Sequence, residues 1–545
     1  MAIRDLWLLD GYLSSKGPKL NLHDNDYCNY LTMQKSAMGA DNEAETSEPL
    51  AGQNSTNSCD SNPNLWSPSG VWWKDFFYFV GPGWFVSIAY VDPGNYQADI
   101  QAGALSKYSL LCIIWWTSIL SIYVQVLCVR LSFYSGLTLA EVQARHSRND
   151  KMRYLSWFLA EFSTVITDLP TVIGIGIACN IFFGWPYYVG VLMSMITTMI
   201  FLATLSLGHR LLEVIVMLFV AIMSIALFIE MDFVGTHGLQ LIEGWTVGFK
   251  DLTNDDIFSI TGVVGAVVMP HNLYLHSAAC QSRKFAKEHV EEAVYWSSIE
   301  PILPILVSFF INLAVVSISA ERVFGTDGAA FVGLTDFCSY FEKLKNGCLL
   351  WGVALIAAGQ SSAITTTYTG QYVMDGFLNI QLSVRMRAVI TRMVAITPCV
   401  LVSVLFPNHL NQMVNMVNAA LSFLLPFAFT PLVKYNCSEG VLGKHASKGL
   451  EKCVLYFFAI AVWLINAVGL SIPGGGFFGD LRPTIDNTFA KILLTTIEIL
   501  IQFFYLWYNA STLITSVTEV DQTALELEMG EGEDENFEIK DQELL

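Results

Sequence analysis

Hydrophobic positions along this chain come in long blocks, not in the one-sided or alternating patterns of a water-soluble fold. Apolar runs long enough to cross a hydrocarbon layer of ~30 Å, roughly 20 residues each, recur near 76–104, 109–134, 155–182, 186–207, 211–232, 256–281, 294–318, 346–377, 386–406, 411–434, 453–472 and 489–512. The pattern predicts an all-α polytopic membrane protein with about twelve transmembrane helices, their ends placed to within several residues. At both ends of the chain the blocks stop. Residues 1–70 are polar and rich in Ser and Asn, and residues 513–545 are dominated by acids. Neither has enough apolar surface to build a core, so both are expected to be solvated tails flanking a membrane domain at 71–512. With no apolar h-region at the start, the first span is expected to serve as the targeting signal.

Two of the blocks are interrupted. In "WFVSIAYVDPGNYQADIQAGAL" the first span carries Asp92, Pro93, Gly94 and Asn95 near its middle; in "SITGVVGAVVMPHNLYLHSAACQSR" the sixth carries Pro270, followed by His271 and Asn272. Proline cannot sustain the helical hydrogen-bond ladder. In lipid, freed carbonyls are tolerated only where they line a cavity or bind something. For either span alone, a proline kink explains the break as well as a binding site does. Their matching positions, each first in a set of five spans, favour an inverted repeat with a substrate site between the breaks. The predicted organisation is 71–232 and 256–434 as the repeats, with 453–512 as two extra helices. Asp92 strengthens the site reading, because an ionisable group at that depth is costly and functional by default.

Composition agrees with a membrane protein: 53% hydrophobic, 14% charged, against about a quarter charged in a soluble domain. The net charge of -19 lies largely in the tails and says little about ligands. Lys and Arg gather in alternate loops, at Arg145, Arg148, Lys151 and Arg153, at Arg283, Lys284 and Lys287, and at Lys434, Lys444, Lys448 and Lys452. Because cytoplasmic loops carry that excess, both termini are expected to be cytosolic. The eleven cysteines are scattered mostly singly. Cys338 and Cys348 share the loop between spans seven and eight on the expected outer side, where they form either a disulfide or two free thiols. The sequons at Asn54, Asn436 and Asn509 fall on the cytosolic side and are not expected to be glycosylated.

The residues at the breaks suggest a cation. Asp92 offers a hard anionic oxygen, Asn95 an amide oxygen, and the break near Ala266 a main-chain carbonyl. None of these separates magnesium or calcium from a transition metal. The Met269 thioether does, since soft sulfur is rewarded by manganese, iron, cobalt and cadmium and not by alkaline-earth ions. Membrane methionines usually only pack; this one directly precedes the breaking proline.

The segments "GPGWFVSIAYVDPGNYQADIQAGA", "GAVVMPHNLYLHSA" and "AAGQSSAITTTYTGQYVMDGF" closely resemble signatures of the Nramp family, the natural resistance-associated macrophage proteins, over about residues 74–435. The resemblance implies a LeuT-like fold and proton-coupled uptake of divalent metals, chiefly manganese and iron, into the cytosol by alternating access. It marks Asp92, Asn95, the Ala266 carbonyl and Met269 as metal ligands, with Asn418 of the tenth span helping to close the site. His271 resembles a family histidine linked to the proton path. Glu161 and Asp168 match acidic positions of the third span, with Arg283 and Arg392 as their basic partners. One departure stands out: where the family usually has an acid after "TDL-x", this chain has Thr171, which does not titrate near neutral pH. Proton coupling is therefore expected to be weakened or rerouted. Leu424 replaces a frequent Gln, a change expected to touch gating contacts only.

The alternatives are a carrier of magnesium or of a sodium-coupled solute on the same fold, and a membrane sensor. Met269 and Asp92 argue against the first, and the short tail after span twelve against the second. No G-x-x-x-x-G-K-[ST] loop is present and no nucleophile and base pair stands out, so no enzyme and no cofactor is expected. The expected partners are divalent metal ions and membrane lipid, not nucleic acid, with a monomeric transport unit and tails available to trafficking factors. The expected location is the plasma membrane or an endosomal or vacuolar membrane.

Overall fold

The computed structural model describes residues 65–204, 221, 224–248, 254–341, 347–380, 383–471, 487–515 and 517. The bulk of both expected tails, much of the expected fifth span and the Gly-rich loop before span twelve lie outside the described residues.

Apolar blocks that cannot satisfy their backbone from lipid must close their hydrogen bonds within each segment, and helices are what form. Among the described residues, nine helices are long and apolar enough to cross a membrane, and Ser224–Val234 with Gly238–Thr246 forms a further pair bent by 117°. Span one and span four contribute the shorter apolar helices Pro82–Val91 and Tyr187–Ile200. Span three begins earlier than its hydropathy, at Asp150, because the Asn149 side chain caps the helix by accepting from Met152 N at 2.9 Å. It then runs to Phe183 with Pro170 inside it.

Both expected breaks are present. Span one comprises Pro82–Ser87, a short 3-10 turn at Ile88–Val91, and Pro93–Ser106, with Asp92 extended between them. Span six comprises Asn254–Val267 and Pro270–Cys280, with Met269 extended at the junction. Two further interruptions were not expected. Span seven is preceded by Val290–Ile299 and resumes at Ile302 after Pro301; span ten is divided at Leu425, just before Pro426, into Leu410–Leu424 and Pro426–Asn436. The expectation for Leu424 was a gating contact, and its side chain is buried in the main apolar cluster.

The broken spans lie inside the bundle. The second half of span one packs along span seven, the first half of span six on span ten, and span three along span eight. In the apolar windows of spans six and ten 78% of residues are buried, against 11% in span twelve. Span twelve instead turns Phe489, Ile492, Leu500 and Phe503 outward, as a helix facing lipid does. The gap between spans six and ten is set by Gly265: a Cβ there would collide with the Asn418 carbonyl oxygen and the Ser422 amide.

In the loop before span eight, Cys338 and Cys348 are joined by a disulfide. The same loop is fastened to the bundle: Leu334 N donates to Gln97 at 2.9 Å, and Asn411 Nδ2 donates to Thr335 and Asp336 at 2.8 and 2.9 Å. The sequon residues Asn436 and Asn509 are fully buried, each with its side-chain amide donating to helix carbonyls.

Candidate metal site

Asp92 is the first residue before a helix that starts with proline, and its Oδ1 caps that helix by accepting from Asn95 N at 2.7 Å and Asn95 Nδ2 at 3.0 Å. The Asn95 amide nitrogen also reaches the Ala89 carbonyl, left free by the break, at 3.2 Å. From span ten, Asn418 Nδ2 donates to the Gly94 carbonyl at 2.8 Å. The two amides are thus held by their nitrogens. Their oxygens, Asn95 Oδ1 and Asn418 Oδ1, are buried and have no hydrogen-bond partner. An acceptor left unpaired in the interior costs about 1–3 kcal/mol. Two beside a carboxylate make a pocket of negative potential in need of a cation.

Gly94 makes the approach possible. A Cβ at this position would lie 3.0 Å from Asn418 Oδ1 and 3.2 Å from Asp92 Oδ1, so any side chain here would crowd both the carboxylate and the amide. The break in span six leaves Ala266 and Met269 buried, at the junction of two helices that pack on spans one and ten. Among the described residues no three His, Cys, Asp or Glu side chains gather to hold a metal. The two breaks themselves carry one carboxylate and an amide, at Asp92 and Asn95, and a thioether, at Met269.

A second polar group lies along span three. Thr167 donates its hydroxyl proton to Ser163 O at 2.8 Å, so its oxygen accepts from His271 Nδ1 at 3.3 Å. This leaves His271 Nε2 buried without a partner. Thr171 Oγ1 donates to Ser362 of span eight at 2.9 Å, and Thr366 to Asp168 Oδ1 at 3.0 Å. Asp168 Oδ2 lies 3.2 Å from Arg392 Nη1 in a fully buried ion pair, within charge contact although not aligned as a hydrogen bond. Glu161 pairs with Arg387, at the start of span nine.

Here the structure corrects one expectation. Arg283 is not the partner of Glu161. It follows span six and reaches the start of span one, donating to the Val80 carbonyl at 2.7 Å, whereas span nine packs directly on span three and so brings Arg387 to Glu161. His276 is fully buried with both ring nitrogens unpartnered.

Sequence reasoning missed Glu300, whose Oε1 accepts from the amides of Gly81, Gly83 and Trp84, the last two at 3.0 and 3.3 Å, and so holds the first half of span one. It also missed Asp99, buried one turn beyond Asn95; Asn312 of span seven, with its amide turned to donate, reaches Asp99 Oδ2 at 3.2 Å. A charged residue within an apolar run was the available signal for Asp99, as it was for Asp92.

The family model described as "natural resistance-associated macrophage protein-like" matches residues 83–471, a stretch that holds both breaks and every candidate ligand. The chain belongs to the Nramp family. Similar Nramp relatives include "Metal transporter Nramp2" of Populus trichocarpa, 36% identical over 410 residues and covering 72% of this chain and 75% of the relative. "Metal transporter nramp1 homolog" of Dictyostelium discoideum is 34% identical over 414 residues, covering 74% and 77%. Among solved structures, the manganese transporter of Eremococcus coleocola in complex with an aromatic bis-isothiourea compound aligns with a TM-score of 0.71 at 25% identity, over 84% of this chain and 98% of that one.

Proposed function

We propose that this Nramp protein is a secondary-active transporter that imports divalent transition metals, manganese and iron and also cadmium and cobalt, into the cytosol by alternating access across an inverted five-plus-five repeat. The observation that carries the reading is the pair of buried, partnerless amide oxygens of Asn95 and Asn418, whose nitrogens are held by Asp92 and the Gly94 carbonyl at the break in span one. Asp92, Asn95, Asn418, the Ala266 carbonyl and Met269 would bind the ion. Neutral oxygens and a single carboxylate hold a dication without trapping it, and Met269 biases the choice toward softer ions. The names of the relatives, metal and manganese transporters, support the substrate class.

Proton linkage is part of the proposal, in weakened or rerouted form. Thr171 engages Ser362 through its hydroxyl and supplies no titrating group, so the groups left for proton movement are Asp92, His271, Asp168 with Arg392, and Glu161 with Arg387. Of these, His271 has an uncommitted Nε2. The Lys- and Arg-rich loops support cytosolic termini, in a plasma or endosomal or vacuolar membrane.

Proteoliposomes reporting metal influx and internal pH together test the reading. Wild type is expected to take up manganese with less than stoichiometric acidification, Asp92→Ala to lose uptake, and Met269→Ala to let magnesium compete more strongly against manganese and cadmium. Thr171→Glu is expected to raise the proton-to-metal ratio. Uptake that survives Asp92→Ala would overturn the site, and full acidification in wild type would overturn the coupling.

A further inference from the structure

At the end of the bundle that carries the Lys- and Arg-rich loops, away from the metal site, lies a cavity of about 250 Å³ between the loop that precedes span three, the end of span ten and the end of span twelve. His146, Arg148 and Lys434 line it, and none of its lining residues is acidic. Lys434 is 6% exposed. Among the described residues it has no carboxylate partner, and its Nζ lies 5.4 Å from the centre of the Tyr435 ring. Its stem is buried while it lines the cavity with no counter-ion there, an arrangement that an anion in the cavity would stabilise. Spans ten and three meet here at the membrane boundary, where basic pockets between helices suit anionic head groups.

His146 adds a second incomplete group. Its Nδ1 faces the Val142 carbonyl at 2.9 Å, and its Nε2 is buried with no partner. Burial, with the nearby charges of Lys434 and Arg145, holds this ring below the ordinary imidazole range against the opposing pull of the Val142 carbonyl. A neutral ring bonded through Nδ1 presents Nε2 as an acceptor, so a ligand that suits this cavity carries negative charge and also a hydroxyl. A phosphate group meets both requirements. On its outer side the cavity is bounded by Trp507 of span twelve, 48% exposed on the lipid-facing surface.

We propose that this cavity is a binding site for a phosphate group, held by Lys434 and Arg148 and hydrogen-bonded to His146, whose source is an anionic phospholipid head group or a soluble phosphate.

The test uses the full chain and its unfolding midpoint. One arm compares nanodiscs of phosphatidylcholine with nanodiscs that also contain phosphatidylinositol 4-phosphate; the other adds inorganic phosphate in detergent against chloride at matched ionic strength. A rise in the lipid arm alone assigns a head group, and a rise with inorganic phosphate assigns the soluble source. In either case Arg148→Gln, at an exposed position that leaves the fold intact, is expected to weaken the response about fivefold, the effect of one cation near a membrane surface. Lys434→Gln is expected to abolish it and Lys434→Arg to restore it. Lys444→Gln, on an exposed loop at the same end, is expected to leave it unchanged. The proposal is overturned if neither probe stabilises the wild type, if Arg148→Gln responds like the wild type, or if Lys444→Gln loses as much as Arg148→Gln.

Discussion

At the scale of single residues, the site is made by what the side chains are prevented from doing. Asn95 and Asn418 spend their amide protons on Asp92, Ala89 and Gly94, so neither can rotate to satisfy its own oxygen. Gly94 is the hinge of this arrangement. Gly94→Ala would insert a methyl group at 3.0–3.2 Å from the two facing oxygens, an overpacking that costs about 1–3 kcal/mol. The expected result is weaker manganese binding, read as a raised half-saturating concentration, together with a lowered unfolding midpoint. Asp92 and Asn95 were legible in the sequence because polarity within an apolar run is expensive. Ion-pair choice was not. Glu161 had several basic candidates, and only the packing of span nine on span three selects Arg387 over Arg283.

At the scale of elements, the breaks in spans one and six were readable because proline and an apolar run make incompatible demands on one helix. The interruption before Pro426 rests on the same chemistry but lies near the end of its run, where it looks like an ordinary terminus. What holds the broken halves in place was invisible, since it depends on distant contacts. Glu300 gathers the amides of Gly81, Gly83 and Trp84, and Arg283 takes the Val80 carbonyl, so the first half of span one is fastened by residues some two hundred positions away in sequence. Glu300→Ala would leave buried donors unpaired at about 1–3 kcal/mol for such a group. It is expected to lower the unfolding midpoint and to speed amide exchange at residues 81–84, while Glu300→Gln, which keeps an acceptor, recovers most of the loss. Unchanged exchange in Glu300→Ala would remove the fastening role.

Across the whole molecule, the contrast between a polar, buried interior at the breaks and the apolar exterior of span twelve was predictable from the length and spacing of the apolar blocks. The residues that meet across that interior were not, because hydropathy gives no helix-to-helix distances. One consequence follows from the site having a single formal anion among neutral donors. A dication bound to ionised Asp92 leaves one net positive charge, and the emptied site returns with one negative charge. Both half-cycles therefore move charge in the same electrical sense, and a full elementary charge crossing the membrane field is worth about 2.3 kcal/mol per 100 mV. Manganese uptake into vesicles clamped with potassium and valinomycin is expected to rise as the interior is made more negative. A neutralised Asp92→Asn carrier, where it still binds metal, is expected to lose the voltage preference of its return step, because the emptied site then carries no charge. The membrane potential would then serve as the main driving force for metal entry.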